Sequence, residues 1–190
     1  MSYYLLPITY YLLPNLKSAI SNLKLIMPPQ RISPKPGQES VWDYPRPPRL
    51  EDTNKHIQII FNGVTIADTH NAKRVLETSH PPVYYIPPAD IKMEYLVPEN
   101  RSSFCEWKGI AGYYTLIVGD KQAPNVAWFY PEPTEAFESI KDYIAFYAAP
   151  MDACYVDGEK VQPQPGGFYG GWITSDIVGP FKGEPGTWGW

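Results

Sequence analysis

Cysteine and charged side chains are scarce in this chain of 190 residues. The only two cysteines are Cys105 and Cys154, and charged residues make up 19% of the sequence. Two cysteines are too few for a disulfide framework or an all-cysteine zinc site, so we expect a reduced, cytoplasmic protein with no structural metal. The net charge of −4 lacks the basic excess that nucleic-acid binding requires, so no nucleic-acid partner is expected.

The short motifs of common catalytic sites are also missing. The chain has no Gly-x-Gly-x-x-Gly or Gly-Lys-Ser/Thr loop for phosphates, and no Gly-x-Ser-x-Gly turn for a nucleophilic serine. Its three histidines, His56, His70 and His80, do not have the His-x-x-x-His spacing of a metal site. The sequence therefore predicts neither a cofactor nor a catalytic metal.

No apolar run is long enough to cross a membrane. Residues 1–16 carry no charged side chain and contain Tyr-Tyr-Leu-Leu-Pro twice, but Pro7 and Pro14 interrupt them. The basic start and small-residue cleavage site of a signal peptide are missing as well. We interpret residues 1–27 as a leader, either unstructured or upstream of a start at Met27. A short amphipathic helix after Pro14 is the alternative.

Proline and aromatic residues are more abundant than in an ordinary globular protein. The 22 prolines exclude helical bundles, because an internal proline removes a backbone donor and clashes with the preceding turn. Seven prolines between residues 28 and 48 predict an extended arm over residues 28–54, with Trp42 and Tyr44 holding it to the body. Residues 55–190 are interpreted as a single domain.

The pattern over residues 55–190 predicts an all-β domain, either of two sheets or as a partly open barrel, with one or two short helices. Asn62-Gly63 and Asp157-Gly158 are signals for two-residue hairpin turns, and the first pairs Phe61 with Val64 and Ile59 with Ile66. The core face of that hairpin is expected to hold Ile57, Ile59, Phe61, Val64 and Ile66. Further strands are predicted at residues 74–78, 83–86, 103–107, 113–118, 126–130 and 144–147, and short helices at 88–95 and 134–143.

A candidate binding site begins at Phe104-Cys105-Glu106-Trp107-Lys108-Gly109. If this segment is a strand, Glu106 and Lys108 share one face and Cys105 lies on the other. A carboxylate and an ammonium placed in this way can bind a small polar ligand. The alternative is an exposed ion pair over a buried cysteine.

Two further groups of residues complete the candidate site. Arg74, Glu77 and His80 precede two prolines that stiffen the loop before Tyr85, and His80 can titrate near neutrality. Alternatively, His80 only hydrogen-bonds a backbone carbonyl, and Arg74 and Glu77 simply pair with each other. The second group is aromatic and forms either a cage for a flat or cationic ligand or part of the core. Its members are Tyr113, Trp128, Tyr130, Tyr147, Tyr169 and Trp172.

Seven segments, taken in order, resemble one known family. They are Glu-Ser-Val-Trp-Asp-Tyr-Pro-Arg-Pro-Pro-Arg (39–49), Phe-Asn-Gly-Val-Thr-Ile-Ala-Asp (61–68), Arg-Val-Leu-Glu (74–77), His-Pro-Pro-Val-Tyr-Tyr-Ile-Pro (80–87), Cys-Glu-Trp-Lys-Gly (105–109), Tyr-Val-Asp-Gly-Glu (155–159) and Tyr-Gly-Gly-Trp-Ile-Thr (169–174). Together they resemble the bacterial and fungal family called domain of unknown function 427 (DUF427), and the proline-rich tract is similar to that of its cyanobacterial members.

The resemblance implies a fold more than a function. It implies a β-tent, or Mss4-like, domain in which the structural zinc of many relatives is lost, since the chain has no Cys-x-x-Cys pair. A nucleotidyltransferase label is sometimes attached to the family, but no phosphate loop or metal-binding carboxylate pair supports it here. The resemblance carries over no catalytic residue.

Three functional hypotheses follow from the sequence. The first is a small-molecule-binding module whose site is formed by Arg74, Glu77, His80, Tyr85, Glu106, Lys108, Tyr113 and Trp128. The second is an enzyme that uses Cys105 or His80 in the same pocket. The third is a protein-interaction domain that docks a partner through residues 28–50. The binding module is favoured, because aromatic rings with few charges are suited to recognition.

Overall fold

Strands dominate the part of the chain that the computed structural model describes, residues 30–187, 189 and 190. The leader predicted over residues 1–27 lies outside the described residues. The strands in chain order are β1 (Glu39–Ser40), β2 (Arg49–Asp52), β3 (Ile57–Phe61), β4 (Val64–Thr69), β5 (Lys73–Leu76), β6 (Val83–Tyr85), β7 (Leu96–Cys105), β8 (Gly109–Val118), β9 (Lys121–Phe129), β10 (Ile144–Phe146), β11 (Ala153–Val156), β12 (Glu159–Lys160), β13 (Gln162–Pro163), β14 (Trp172–Ile173) and β15 (Ile177–Val178). The predicted all-β class is confirmed.

These strands form five sheets, two of which have four strands. The four-stranded sheets have the orders β10-β9-β8-β7 and β12-β11-β3-β4, and a three-stranded sheet has the order β2-β5-β6. The pairs β1-β15 and β13-β14 complete the set, and only β1-β15 is parallel. Within the described residues, no helix is long and apolar enough to cross a membrane.

The short helices predicted at residues 88–95 and 134–143 are 3₁₀ helices. They span Pro88–Asp90, Met93–Tyr95 and Glu135–Ile140. Two of them last only three residues, and Asp142 follows the third with a left-handed backbone, φ 61°. The left-handed residue ends the third helix, since a right-handed helix cannot continue through it.

Both predicted hairpin turns are present, but one register differs from the prediction. Phe61 pairs with Val64 as expected, whereas a bulge between Ile59 and Ile60 pairs Ile59 with Ala67 and not with Ile66. A bulge opposes two residues on one strand to one on the other, so both Ile66 and Ala67 are buried. The core face was otherwise predicted correctly, with Val64 only half-buried.

Two strands lie within the arm predicted over residues 28–54. β1 pairs with β15 and β2 pairs with β5, so the second half of this segment belongs to the sheets. Tyr44 is buried, and the Trp42 indole donates to the Pro180 carbonyl at 2.8 Å, in agreement with their predicted anchoring role. Residues 31–37 are exposed, and docking of a partner through the arm stays a prediction.

Candidate functional site

A cavity of about 590 Å³ is bounded by residues of β5 to β9 and of the C-terminal loops. We call it the central cavity. Nine aromatic side chains line it: Tyr85, Phe104, Trp107, Tyr113, Trp128, Tyr130, Tyr147, Phe168 and Tyr169. Its charged lining consists of Glu77, Arg101, Glu106, Lys108 and Lys182, with His80 beside them.

Most of the candidate residues predicted from the sequence line this cavity. Seven of the eight proposed ligand-binding residues do so: Glu77, His80, Tyr85, Glu106, Lys108, Tyr113 and Trp128. Of the six aromatic residues grouped from the sequence, Trp172 alone is absent from the lining and lies in the core at 1% exposure. The positions of these side chains are therefore known, whereas their role in binding remains a prediction.

Arg74 is the candidate residue that lies elsewhere. Its guanidinium bridges two carboxylates, with Nη1 3.0 Å from Glu39 and Nε 2.5 Å from Glu51. It does not pair with Glu77, which lies 3.2 Å from Arg46 instead. Arg74 therefore joins β5 to β1 and β2.

The predicted strand alternation at Glu106 and Lys108 is wrong. β7 ends at Cys105, which pairs directly with Gly109 in β8, and Glu106, Trp107 and Lys108 form the three-residue turn between them. Gly109 has φ 98°, a conformation that glycine adopts most readily, so Lys-Gly was the available signal for a turn. In this turn Glu106 is exposed and Lys108 is buried at 9% exposure, so the two do not form the expected pair.

Contacts to the backbone of the turn and to the ammonium hold Lys108 in place. The Thr134 hydroxyl donates to the Trp107 carbonyl at 2.6 Å, and the Thr134 N–H donates to the Lys108 carbonyl at 3.3 Å. The ammonium lies 5.6 Å from the ring centre of Phe137 and 5.9 Å from that of Tyr130. Burial lowers the pKa of Lys108, but its neighbours Tyr85 and Cys105 together with the Glu77 carboxylate outweigh that effect and raise it, so the ammonium stays charged at neutral pH.

Cys105 and Cys154 have different surroundings. Cys105 lines the central cavity and is half-buried, next to Lys108. Cys154 is 2% exposed in β11, where burial raises the pKa of its thiol well above the usual range. Cys105 is therefore the accessible thiol of the two.

His80 lies at the edge of the cavity and is 8% exposed. Its Nδ1 lies 3.0 Å from the Thr78 carbonyl, and its ring meets Tyr169 edge-on at 4.7 Å. Burial lowers the pKa of His80, although Glu77 at 4.0 Å opposes this effect. The imidazole is therefore neutral at pH 7 with Nδ1–H donating to Thr78.

Hydrogen bonds fix the orientation of the cavity's inner rings. The Trp128 indole donates to the Tyr85 hydroxyl at 3.3 Å, and the Tyr113 hydroxyl lies 2.7 Å from the Ser103 hydroxyl. Trp128 and Tyr147 have ring centres 4.6 Å apart. A wall of rings that are already ordered gives a flat ligand a preformed surface.

The C-terminal residues supply a rim that sequence reasoning mostly missed. Lys182 and Gln164 line the cavity, and the Lys182 ammonium lies 5.6 Å from the Tyr169 ring centre. A Cβ on Gly170 would lie 2.1 Å from the Trp128 ring, so only glycine lets this loop pass against the indole. The clustered glycines were the signal for such a close approach, but they did not indicate which ring the loop would meet.

The fold and the cavity define the chain as an all-β domain of several antiparallel sheets with an internal site. Within the described residues, no cluster of three or more His, Cys, Asp or Glu side chains is arranged to hold a metal ion. The family model described as domain of unknown function (DUF427) matches residues 49–157, more than half of the chain. The chain belongs to this family. No curated protein matches it.

Proposed function

We propose that this protein is a binding module for a small organic molecule, which occupies the central cavity. The observation that carries the proposal is the composition of the cavity wall, which has nine aromatic side chains and few charged groups around about 590 Å³. Small-molecule sites have this size and this mixture of apolar surface with a few polar groups. Hydrogen bonds within the protein hold Trp128 and Tyr113 in place, which reduces the entropy that binding costs.

A neutral fluorescent aromatic, N-phenyl-1-naphthylamine, tests this proposal without knowledge of the natural ligand. We expect one molecule to bind per chain with an increase in fluorescence. Ser103 points to the cavity side of β7, whereas Ser102 pairs with Gly112 and is not part of the lining. Ser103→Trp should fill the cavity and weaken the dye by at least about tenfold, the loss expected when apolar contact area is displaced.

Ser102→Trp is the matched control, since it adds the same ring to the adjacent position of the same strand. The dye affinity of Ser102→Trp should equal that of the wild type. Equal affinities for both variants and the wild type would mean that the dye binds elsewhere, and no saturable binding at all would contradict the proposed function.

An enzyme that uses Cys105 is the second candidate, and the position of this thiol favours it. Cys105 lines the cavity beside the Lys108 ammonium and is only half-buried, so a ligand in the cavity can reach its thiol. His80 is a weaker candidate, because it lies at the edge of the cavity and is 8% exposed.

Thiol titration of the native protein checks the accessibility of Cys105. A disulfide reagent such as dithiobis(nitrobenzoate) should label Cys105 in the folded state and Cys154 only after denaturation, because Cys154 is 2% exposed. Cys105→Ser should abolish the native signal, and saturation with the naphthylamine dye should slow it. If neither cysteine reacts until denaturant is added, a catalytic role for Cys105 is wrong.

A further inference from the structure

Lys108 is a buried cation without a carboxylate partner. It is 9% exposed, and no carboxylate in the described part of the chain lies within ion-pair distance of its ammonium. Lysine is almost never buried to this extent unless it is paired, because removing an ammonium from water is costly. Its ammonium is surrounded by the phenols of Tyr85 and Tyr130, the phenyl ring of Phe137 and the thiol of Cys105.

The two carboxylates that line the cavity, Glu77 and Glu106, do not form an ion pair with Lys108. Glu77 is 3.2 Å from the Arg46 guanidinium, which balances its charge, and 4.0 Å from the neutral His80 ring. Glu106 is exposed at the turn. The inner part of the cavity therefore keeps a positive charge that no carboxylate contacts, although Glu77 attracts it from beyond ion-pair distance.

Two further cations, Arg101 and Lys182, lie at the rim of the cavity. The Arg101 guanidinium lies 4.6 Å from the Tyr113 ring centre, and the Lys182 ammonium lies 5.6 Å from that of Tyr169. The Lys182 ammonium also donates to the main-chain oxygen of Trp190 at 2.7 Å, whereas Arg101 forms no ion pair among the described residues. With three cations and two carboxylates, Glu77 and Glu106, the lining has a net positive charge, which favours anions over cations.

We infer that the ligand of the central cavity is a planar aromatic or conjugated monoanion, such as a carboxylate or sulfonate, with its anionic group on the Lys108 ammonium and its ring against the aromatic wall. This inference rests on the proposed function and specifies its ligand class. A single interior cation matches one negative charge, whereas a polyphosphate needs several donors and a metal. The same ammonium excludes the cationic ligand that an aromatic cage alone would admit.

Two dyes that differ by one charged group test the inference. 8-Anilinonaphthalene-1-sulfonate is a naphthylamine that carries a sulfonate, and N-phenyl-1-naphthylamine is the same skeleton without it. The wild type should bind the sulfonate more tightly than the neutral dye. Lys108→Met should weaken the sulfonate by at least about tenfold, the effect of losing a desolvated charge partner, and leave the neutral dye within about twofold.

Lys92→Met is the control for charge loss, because Lys92 is exposed and outside the cavity. It should change neither affinity. A measurement on the wild type alone covers the case in which Lys108→Met does not fold: 2-naphthoate should displace the neutral dye at lower concentration than 2-naphthamide does.

The failure of the inference is distinguishable from the failure of the proposed function. If both dyes bind at the cavity with equal affinity, and naphthoate has no advantage over naphthamide, the anion preference is wrong and the binding module stands. If neither dye binds the native protein, the binding module itself is overturned.

Discussion

Replacing Trp172 by alanine should lower the free energy of unfolding by about 3–5 kcal/mol, the cost of removing a large buried ring. Trp172 is 1% exposed and packs 5.5 Å from the Tyr84 ring centre. Its indole N–H also donates to the Phe146 carbonyl at 2.9 Å, so the variant leaves a buried acceptor unpaired. The melting temperature should fall by roughly 10 °C or more.

Trp172→Phe separates packing from hydrogen bonding. It keeps most of the ring and loses only the donor to Phe146, so we expect a cost of about 1–2 kcal/mol. Chemical denaturation of the three proteins measures both effects. If Trp172→Ala is as stable as the wild type, the position of Trp172 at the centre of the core is wrong.

Replacing Arg74 by methionine should cost about 2–3 kcal/mol, because it leaves two partly buried carboxylates without their shared cation. The Arg74 side chain is 14% exposed, while Glu39 and Glu51 are 37% and 28% exposed, so solvent reduces the penalty below that of a fully buried pair. The affinity of the naphthylamine dye for the folded variant should not change, because Arg74 is outside the central cavity.

Arg49→Met is the matched control for this experiment. Arg49 pairs with the same Glu51 at 3.0 Å but is 54% exposed, so its loss should cost less than about 1 kcal/mol. Urea denaturation of both variants gives the comparison. A loss of dye affinity in Arg74→Met without a loss of stability would return Arg74 to the list of ligand-binding residues.

The all-β class and both two-residue hairpin turns were predictable from local patterns. Asn62 and Asp157 both have positive φ values, 48° and 50°, and each precedes a glycine. Turn chemistry of this kind depends on the backbone preferences of two residues, so a short segment is sufficient to reveal it. The bulge at Ile59 and Ile60 was not predictable, because alternation alone cannot count an extra residue.

Edge strands carry a weaker signal than central ones. β7 spans Leu96–Cys105, but only residues from Ser103 onward were predicted as a strand. The missed part contains Pro98, Glu99 and Arg101 and is exposed, so it lacks the apolar alternation of a half-buried strand. The likeness to β-tent folds, which the family resemblance implies, stays a prediction.

The sequence by itself determined the class of the fold, the family and the pool of side chains from which a site is drawn. Residue types and short-range turn signals carry this information, since they depend on neighbours along the chain. Only the tertiary structure decided that Lys108 is buried and Glu106 exposed, that Arg74 binds Glu39 and Glu51, and that Trp172 belongs to the core. Each of these depends on which distant segments pack together, and a local pattern contains no record of that packing.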